Sequence, residues 1–495
     1  MTIEPIFPEN MQMADEVELK LEIASEDAGK FEASGLLAGA PKKMRQISTY
    51  FDTPDHDVAN AGFSLRIRRS GKKRVQTIKA DGGSAAGLFI RSEWERAAEN
   101  DAPVLDFATP LPSLLGDKID AIAPAFEVEI DRQSWTIDEG GATIELVLDR
   151  GDVVVGERRS PVCEIELELK SGDRAALFAF ARRIDAVVPI RLGVLSKSER
   201  GYRLTGAAPA RVTAETVILA GDTTAAQALG QIMQSCIRQF RLNEALLLAN
   251  RNTEALHQAR VALRRLRSAF AIFKPMIGDA GIDLRTELRW LASELGKVRD
   301  LDVLLKRAEG GPLHDRIATM RAAAYDDVCE ILSSARVRRL MLEVTAWIAA
   351  SDWSGTADGE REGNRPARDF AARALDRYRR KVKRKGRNLA SLDDDARHEV
   401  RKSAKKLRYA AEFFAGLFER KGEKRRHKRF VKALEALQDQ LGALNDLAAA
   451  PKLLTRLGIA ESPGAAELMA HGKKGRLIET AADAHEDFVD TKRFW

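Results

Sequence analysis

The spacing of apolar residues changes once along this chain, near residue 210, and that change limits the fold more than any single motif does. From Glu16 to about Arg203 apolar and polar residues alternate, as in Glu16-Val17-Glu18-Leu19-Lys20-Leu21-Glu22, Leu65-Arg66-Ile67-Arg68 and Glu164-Ile165-Glu166-Leu167-Glu168-Leu169-Lys170. A period of two is that of a strand, whose side chains point to opposite faces in turn. Turn clusters punctuate the run (Ser70-Gly71, Asp81-Gly82-Gly83, Gly140-Gly141, Arg150-Gly151-Asp152), and helical spacing is confined to Ala28 to Leu37 and Arg174 to Ile184. Eight or so antiparallel strands joined this way predict a closed sheet. Past the stretch from Thr205 to Arg211, rich in Ala, Pro and Gly, spacings of three and four take over and everything reads as all-α. At 495 residues there is room for more than one hydrophobic core.

The charge follows the same boundary. Residues 1–210 carry 27 Lys and Arg against 35 Asp and Glu, whereas residues 211–495 carry 53 against 39. An acidic half is joined to a basic one, and the basic half expects a polyanion. No apolar stretch approaches the roughly 18 residues of a membrane span, and Glu4 and Glu9 stand where a signal peptide would place Lys or Arg. The expectation is a cytoplasmic protein without a membrane partner. Cys163, Cys236 and Cys329 are too far apart for a zinc site or a disulfide framework.

The helical half contains a duplication. His257-Gln-Ala-Arg260-Val-Ala-Leu-Arg264-Arg265-Leu266-Arg267 aligns with His398-Glu-Val-Arg401-Lys-Ser-Ala-Lys405-Lys406-Leu407-Arg408. Later, Leu295-Gly296-Lys-Val-Arg299-Asp300-Leu301 aligns with Leu441-Gly442-Ala-Leu-Asn445-Asp446-Leu447. Two matched blocks in one order predict two similar bundles related by a pseudo-two-fold. The segment from Ser354 to Pro366 separates them. The expected organisation is a strand domain over residues 12–206, a linker over 207–220 and a helical domain over 221–480, with repeats at about 221–353 and 367–480.

Residues i and i+2 of a strand share a face, so Glu16, Glu18 and Lys20 form one row and Glu164, Glu166, Glu168 and Lys170 another. Glu93 with Glu95, Glu127 with Glu129, and Glu145 with Asp149 add acid at the same period, while Arg66, Arg68 and Lys79 add base. One charged row is ordinarily a solvent face. Several rows of like charge cost about 0.2–1 kcal/mol for each opposed pair and call for a neutraliser, which for all-oxygen ligands is Mg²⁺ or Mn²⁺ in preference to zinc. Periodicity leaves open which face is inside.

Glu16-Val17-Glu18-Leu19-Lys20, Tyr50-Phe51-Asp52-Thr53, Leu65 to Arg68, Lys79, the Glu164 to Glu168 row and Lys197-Ser198-Glu199-Arg200, in that order, resemble the CYTH domain of the triphosphate tunnel metalloenzymes over about residues 12–206. The resemblance implies an eight-stranded antiparallel β-barrel whose tunnel holds a triphosphate and Mg²⁺ or Mn²⁺. It further implies Glu16, Glu18, Glu164, Glu166 and Glu168 as metal ligands, Lys20, Arg66, Arg68, Lys79, Arg132 and Lys197 on phosphate, and Glu93 or Glu95 ordering the attacking water.

In the helical half, His257, Arg260, Arg264 and Arg267, and again His398, Arg401, Lys405 and Arg408, run down one helix face at spacings of three, four and three. A basic face on one helix is usually only solvated; its recurrence in both halves favours a binding surface. Neither histidine has the spacing of a zinc site, and Gly296-Lys297 is no phosphate loop, since Leu291 and Val298 occupy its required Gly and Ser/Thr positions. These repeats resemble the CHAD domain over about residues 221–480, which implies two pseudo-symmetric four-helix bundles and inorganic polyphosphate bound by the eight stripe residues, with Arg299 and Arg238 as additions. Asn445 departs from the pattern, standing where the first repeat has Arg299.

The leading expectation is an inorganic triphosphatase whose helical half binds inorganic polyphosphate. Two alternatives stand beside it. One is a hydrolase or cyclase acting on thiamine triphosphate or ATP, and the other is a non-catalytic polyphosphate-binding scaffold directing the protein to polyphosphate granules. Nucleic acid is disfavoured as a partner, because the stripes lack interleaved aromatic residues.

Overall fold

The computed structural model describes residues 12–80, 86–207, 209–308, 310–351, 353, 355–469 and 474–495; the turn expected at Asp81-Gly82-Gly83 lies outside them. The chain divides into two compact units. One holds the residues up to Ala210 together with Ser334–Ala350, and the other holds Arg211–Ser333 and Ser351–Trp495.

The first unit is built on strands β1 (Gln12–Ile23), β2 (Lys42–Asp52), β3 (Phe63–Ser70), β4 (Lys73–Ala80), β5 (Leu88–Ala97), β6 (Ala123–Glu139), β7 (Ala142–Val155), β8 (Arg158–Ser171) and β9 (Ile190–Leu192). Their order is β5-β4-β3-β2-β6-β7-β8-β1, and β5 also pairs with β1, which closes an eight-stranded barrel. Every pairing in this barrel is antiparallel. The short β9 extends β1 beyond the end of β5, with Leu21 opposite Leu192.

The charged face of the alternation is turned inward and the apolar face outward. Leu19, Leu21, Ile144, Leu146, Leu148, Ile165 and Leu167 are all fully buried on the outer wall, where helix α1 (Ala175–Asp185) packs on β1, β6 and β8. Burying a leucine of this kind contributes about 1.5–3 kcal/mol. A second outer patch of Phe51, Leu65, Ile67 and Ile78 is covered by Leu111 and Leu115. Apolar residues of the inward parity, Phe126, Val128 and Val153, gather inside the barrel, where Tyr202 and Leu204 of helix α2 (Lys197–Thr205) pack on them. Ser196 starts α2 with a capping box: its hydroxyl accepts from the Glu199 backbone N–H, and the Glu199 carboxylate accepts from that of Ser196. With helices over so much of the outer wall, the charged side chains fill the lumen. Glu127 and Glu129 have the opposite parity to Arg132 and Ser134 on β6, and they point outside, toward Thr49 and Arg45 respectively.

The second unit contains helices α3 (Ala225–Asn250), α4 (Thr253–Ile272), α5 (Ile282–Arg307) and α6 (Pro312–Ser333). The next helix in the chain, α7 (Ala335–Ala350), belongs to the barrel unit. There it packs on α1 and β9, with Arg338 on Asp185 at 2.7 Å and Arg182 forked onto Glu343 at 2.7 and 2.9 Å. The sequence reading counted this segment with the first helical repeat; its buried face, including Leu340, Met341 and Val344, meets the barrel instead. The second bundle follows as α8 (Ala367–Lys385), α9 (Asp394–Phe413), α10 (Lys421–Arg456) and α11 (Lys474–Asp490).

Within the first bundle α4 packs between α3 and α5, and α6 packs on α5; within the second, α9 packs between α8 and α10, and α11 packs on α10. The two sets thus repeat one arrangement, joined where α4 meets α9 and α3 meets α8. A short antiparallel bridge ties their starts together, the Ala225 N–H donating to the Arg365 carbonyl and that of Ala367 to the Thr223 carbonyl, both at 2.8 Å. The stripe helices are capped alike: Asn252 accepts from the backbone of Glu254 and Ala255, and Asp393 accepts from that of Ala396. No helix among the described residues is long and apolar enough to cross a membrane.

Candidate functional site

The barrel encloses a cavity of about 340 Å³. Strand parity brings Glu16, Glu18 and Lys20 of β1, Arg66 and Arg68 of β3, Lys79 of β4, Glu93 and Glu95 of β5, Arg132 of β6 and Glu166 and Glu168 of β8 to its wall, and Lys197 enters from the start of α2. All but one of the barrel residues singled out from the sequence therefore share one lumen. The exception is Glu164. It shares the inward parity of Glu166 but is fully buried and does not reach the cavity, its Oε1 accepting from Lys20 at 3.0 Å and from Lys197 at 2.5 Å. Two buried ammonium groups need a counter-charge that water cannot supply, and Glu164 provides it.

Around this point the charges form a dense network. Asp149, also fully buried, receives a forked contact from Arg132 at 2.7 and 2.5 Å and an ion pair from Lys197 at 2.7 Å. Glu166 takes Lys20, Lys197 at 2.7 Å and Arg132 at 2.9 Å. Burial alone would raise the Glu166 carboxyl, but Lys197, Lys20 and Arg132 hold it well below the usual carboxylate range. Burial would equally lower the Lys20 amine, and Glu164, Glu166 and Glu18 hold it well above its ordinary value. Asp149 was noted in the sequence only as an acid at the same period as Glu145, with Val147 breaking the row between them.

The next row across the barrel is acidic. Glu18 lies directly opposite Glu168, and Glu168 opposite Glu145. Lys170 pairs with Glu168 at 2.6 Å and Glu145 at 2.9 Å; burial, opposed by Lys170 and reinforced by Glu16 and Glu145, pushes the Glu168 carboxyl up. Lys20 Nζ stands 3.1 Å from Glu18 Oε1, close enough for an ion pair, but the angle makes no hydrogen bond, so this buried oxygen has no hydrogen-bond partner. The same is true of Glu164 Oε2. Asp149, Glu164 and Glu166 can each place one oxygen within 4.8 Å of the others. Buried, incompletely satisfied oxygens in an all-carboxylate set fit a hard divalent cation such as Mg²⁺ or Mn²⁺.

On the opposite wall the unmatched groups are donors. Arg66 reaches the Tyr50 hydroxyl at 3.4 Å, yet its Nε and that of Arg68 are buried without hydrogen-bond partners. Arg91, which shares the parity of Glu93 and Glu95 and could have been read from it, stands 3.8 Å from Glu16 with its Nε also unmatched. Lys79 bridges Glu16 at 2.6 Å and Glu93 at 3.3 Å, while Glu95 accepts from the Thr77 hydroxyl at 2.9 Å. Ser196 and Ser198, buried beside Lys197, complete the wall with their hydroxyls 2.7 Å apart.

In the helical unit, the α4 stripe (His257, Arg260, Arg264, Arg267) and the α9 stripe (His398, Arg401, Lys405, Arg408) are half-buried, and Arg264 lies within electrostatic reach of both Arg401 and Lys405. The two duplicated blocks meet here. A side chain on Gly296 would strike the Arg260 guanidinium, its Cβ falling 2.8 Å from NH1, and Gly442 faces Arg401 in the same way at 3.7 Å. With few acids nearby, the charges suppress one another. Burial, with Arg299, Arg264 and Arg260, pushes His257 down to about 4; burial, with Arg264 and Arg401, pushes Lys405 down to about 6; and burial with Arg264 lowers Arg260 to about 10. Arg401 and Arg408 each bury an Nε without a hydrogen-bond partner.

The halves differ where the sequence differs. Arg299 presses on His257 and is itself 3.8 Å from the buried Asp302, whereas Asn445 makes a 2.6 Å hydrogen bond to His398 Nδ1. Arg238 is buried and pairs with Glu215 at 3.3 Å, which removes it from the stripe surface.

A closed barrel with an ion-lined lumen, carried on one chain with a twinned helical bundle, defines a two-module protein. Residues 14–202 match the model of the CYTH domain and residues 231–455 that of the CHAD domain; the chain joins a CYTH domain to a CHAD domain. It is 31% identical over 164 residues to a Haemophilus influenzae protein named inorganic triphosphatase, a match covering 32% of this chain and 45% of that relative. The chain thus spans less than half of that relative's length. An uncharacterized protein of Mycobacterium tuberculosis is 24% identical over 396 residues, covering 74% of this chain and 75% of the relative. Among solved structures, the CHAD domain of Ricinus communis is 27% identical with a TM-score of 0.49, covering 57% of this chain and 97% of that one.

Proposed function

We propose that the barrel hydrolyses inorganic triphosphate in the presence of Mg²⁺ or Mn²⁺, releasing orthophosphate and pyrophosphate, and that the helical unit binds inorganic polyphosphate in the cleft between its stripes. One observation carries the substrate class. The lumen offers an unmatched carboxylate oxygen on Glu18 and unmatched guanidinium donors on Arg66, Arg68 and Arg91, yet almost nothing apolar: of its lining residues only Met44, Tyr50 and Val147 are non-polar or aromatic, and the Tyr50 ring is stacked on Phe126. A nucleobase or thiazolium ring would find no surface to pack on, whereas a bare triphosphate needs none. The inorganic triphosphatase of Haemophilus influenzae supports the same reading.

In this scheme Arg66, Arg68 and Arg91 grip phosphoryl oxygens, Arg66 and Arg68 with fork geometry. Lys79 contributes a further cation, and Glu16, Glu18, Glu166 and Glu168 hold the divalent ion. When bound, that ion neutralises phosphoryl charge and polarises the scissile phosphoanhydride. Lys20, Lys197 and Arg132 line the lumen but are already paired with Asp149, Glu164 and Glu166; their part is to keep those carboxylates ionised and in place. Glu93 or Glu95 orients the attacking water and accepts its proton. Glu95 is the better placed of the two, because its carboxylate is held by a neutral hydroxyl while that of Glu93 already faces Lys79.

The test is phosphate release from tripolyphosphate, ATP and thiamine triphosphate with Mg²⁺ and Mn²⁺ titrated. Tripolyphosphate should be turned over at least tenfold faster than the others. Equal turnover of ATP would overturn the inorganic assignment, and no hydrolysis of any of the three would leave only the binding scaffold.

A further inference from the structure

The stripes of α4 and α9 do not exhaust the basic surface of the helical unit. Helix α8 carries Arg373, Arg377, Lys381 and Lys385 at successive intervals of four, a spacing that stacks them on one face over about 18 Å. Like charges so placed repel unless something answers them. The carboxylates at hand are at the two ends: Glu362 pairs with Arg373 at 3.3 Å, and Glu399 with Lys385 at 2.9 Å.

The middle of the row has no such partner among the described residues. Arg377 donates to the Ile272 carbonyl at 2.6 Å and Lys381 lies over the Tyr378 ring at 5.2 Å. Lys406 of α9 lies within electrostatic reach of Lys381 on α8 and of Lys402 one turn back on its own helix, and burial together with these neighbours lowers its amine. Near the start of α8, Arg361, Arg373, Arg377 and Arg380 line a cavity of about 510 Å³ together with the two acids Asp358 and Glu362.

This surface is distinct from the cleft. Lys406 follows Lys405 and therefore points about 100° away around the helix, and neither α8 nor its cavity contributes a residue to the α4 and α9 stripes. It is also absent from the first bundle: α3, the counterpart of α8, is mostly buried and carries only Arg238 and Arg241 as cations. The duplication created the cleft, and the second repeat alone acquired this row.

We propose that the groove between α8 and α9 is a second polyanion site, binding a stretch of inorganic polyphosphate independently of the cleft; this rests on the polyphosphate reading of the helical unit. Polyphosphate is the ligand of choice because the cations recur at one-turn intervals and Tyr378, the aromatic residue within the row, is buried under Lys381 and Arg377 and offers no face for a base to stack on.

The experiment is calorimetric titration of the full-length protein with long-chain polyphosphate at two salt concentrations. The parent protein should show two binding events. Lys381→Glu/Lys406→Glu should abolish the weaker one and leave the stronger within about twofold, and Arg264→Ala/Lys405→Ala should do the reverse. Lys381→Met/Lys406→Met, which adds no new charge, should weaken the second event at least tenfold and flatten its salt dependence by about one to two counterions. A single event that the cleft variant removes entirely would overturn the second site while leaving the cleft reading intact. Absence of all binding by the parent would instead fail the cleft reading, and this proposal with it. Single-stranded RNA of equal charge binding the Lys381-dependent site as tightly as polyphosphate would overturn the choice of ligand.

Discussion

The barrel lumen and the stripes of the helical unit both gather cations, and they treat them in opposite ways. In the lumen every buried lysine is matched to carboxylates: Lys20 and Lys197 are held protonated by Asp149, Glu164 and Glu166, and those acids that shift downward do so because of the lysines and Arg132. In the cleft the cations face one another, and His257, Lys405 and Arg260 are all pushed toward their uncharged forms. A self-neutralised site keeps its geometry without ligand and uses a divalent ion to tip the balance toward a polyanion. A self-repelling site stores unfavourable charge that only an incoming polyanion relieves. The first arrangement suits chemistry on a short substrate and the second suits retention of a long one.

The sharpest way to break this contrast is to remove an acid from the lumen. Glu16→Gln or Glu166→Gln should lower tripolyphosphate turnover by at least about 100-fold, or 2.7 kcal/mol of barrel-site stabilisation, and chelation of divalent ions should abolish turnover in the parent. Polyphosphate binding by the helical unit should be unchanged in both variants. Turnover within threefold of the parent, with metal present, would show that the acidic row is not the ion's site. A smaller effect is expected for the cations opposite: Arg66→Ala should raise KM about tenfold, measured by steady-state kinetics, because its buried Nε has no hydrogen-bond partner to lose within the protein.

The pH dependence of cleft binding follows from the depressed amine of Lys405. Free, it loses its proton as pH rises above about 6; bound to a polyanion, it regains an elevated pKa. Binding at pH 8 therefore takes up a proton, and affinity should rise as pH falls from 8 toward 6, by up to about tenfold per unit for one group. Titrations in buffers of different ionisation enthalpy measure this uptake directly. His257, neutral down to about 4, adds nothing to that window in the free protein.

The smallest effect tests the asymmetry of the two halves. Gly442→Ala has ordinary contact distance to Arg401 and should stabilise its helix by about 0.5–1 kcal/mol. Gly296→Ala must displace the Arg260 guanidinium and should gain less stability while weakening polyphosphate several-fold. Thermal unfolding and binding of the two variants, side by side, check both signs.

Much of the site was legible because charge at a strict period is costly to keep without a purpose. The rows at Glu16 to Lys20, Arg66 with Arg68, and Glu164 to Glu168 announced a charged sheet face, and the paired stripes announced a cleft. What escaped were residues without a pattern of their own. Asp149 is separated from Glu145 on its strand face by Val147 and so forms no continuous row, Glu164 belongs to a row but serves its lysines rather than the cavity, and Arg91 is marked only by sharing parity with two glutamates. The α2 helix escaped as well, although Ser196 and Glu199 stand at capping-box spacing.

By itself the sequence determined the alternation, the helical periods and the duplication, because each is a local rule: side chains two apart share a strand face, and those three or four apart share a helix face. The tertiary structure decided which face became the inside. A period of two is identical for a barrel with a polar lumen and one with a polar exterior, and the choice was made by α1 and the segment at Leu111–Leu115 covering the outer apolar wall. It also assigned Ala335–Ala350 to the barrel unit. Nothing in a helix's own periodicity says which partner will bury its apolar stripe, since burial is rewarded by area and not by address.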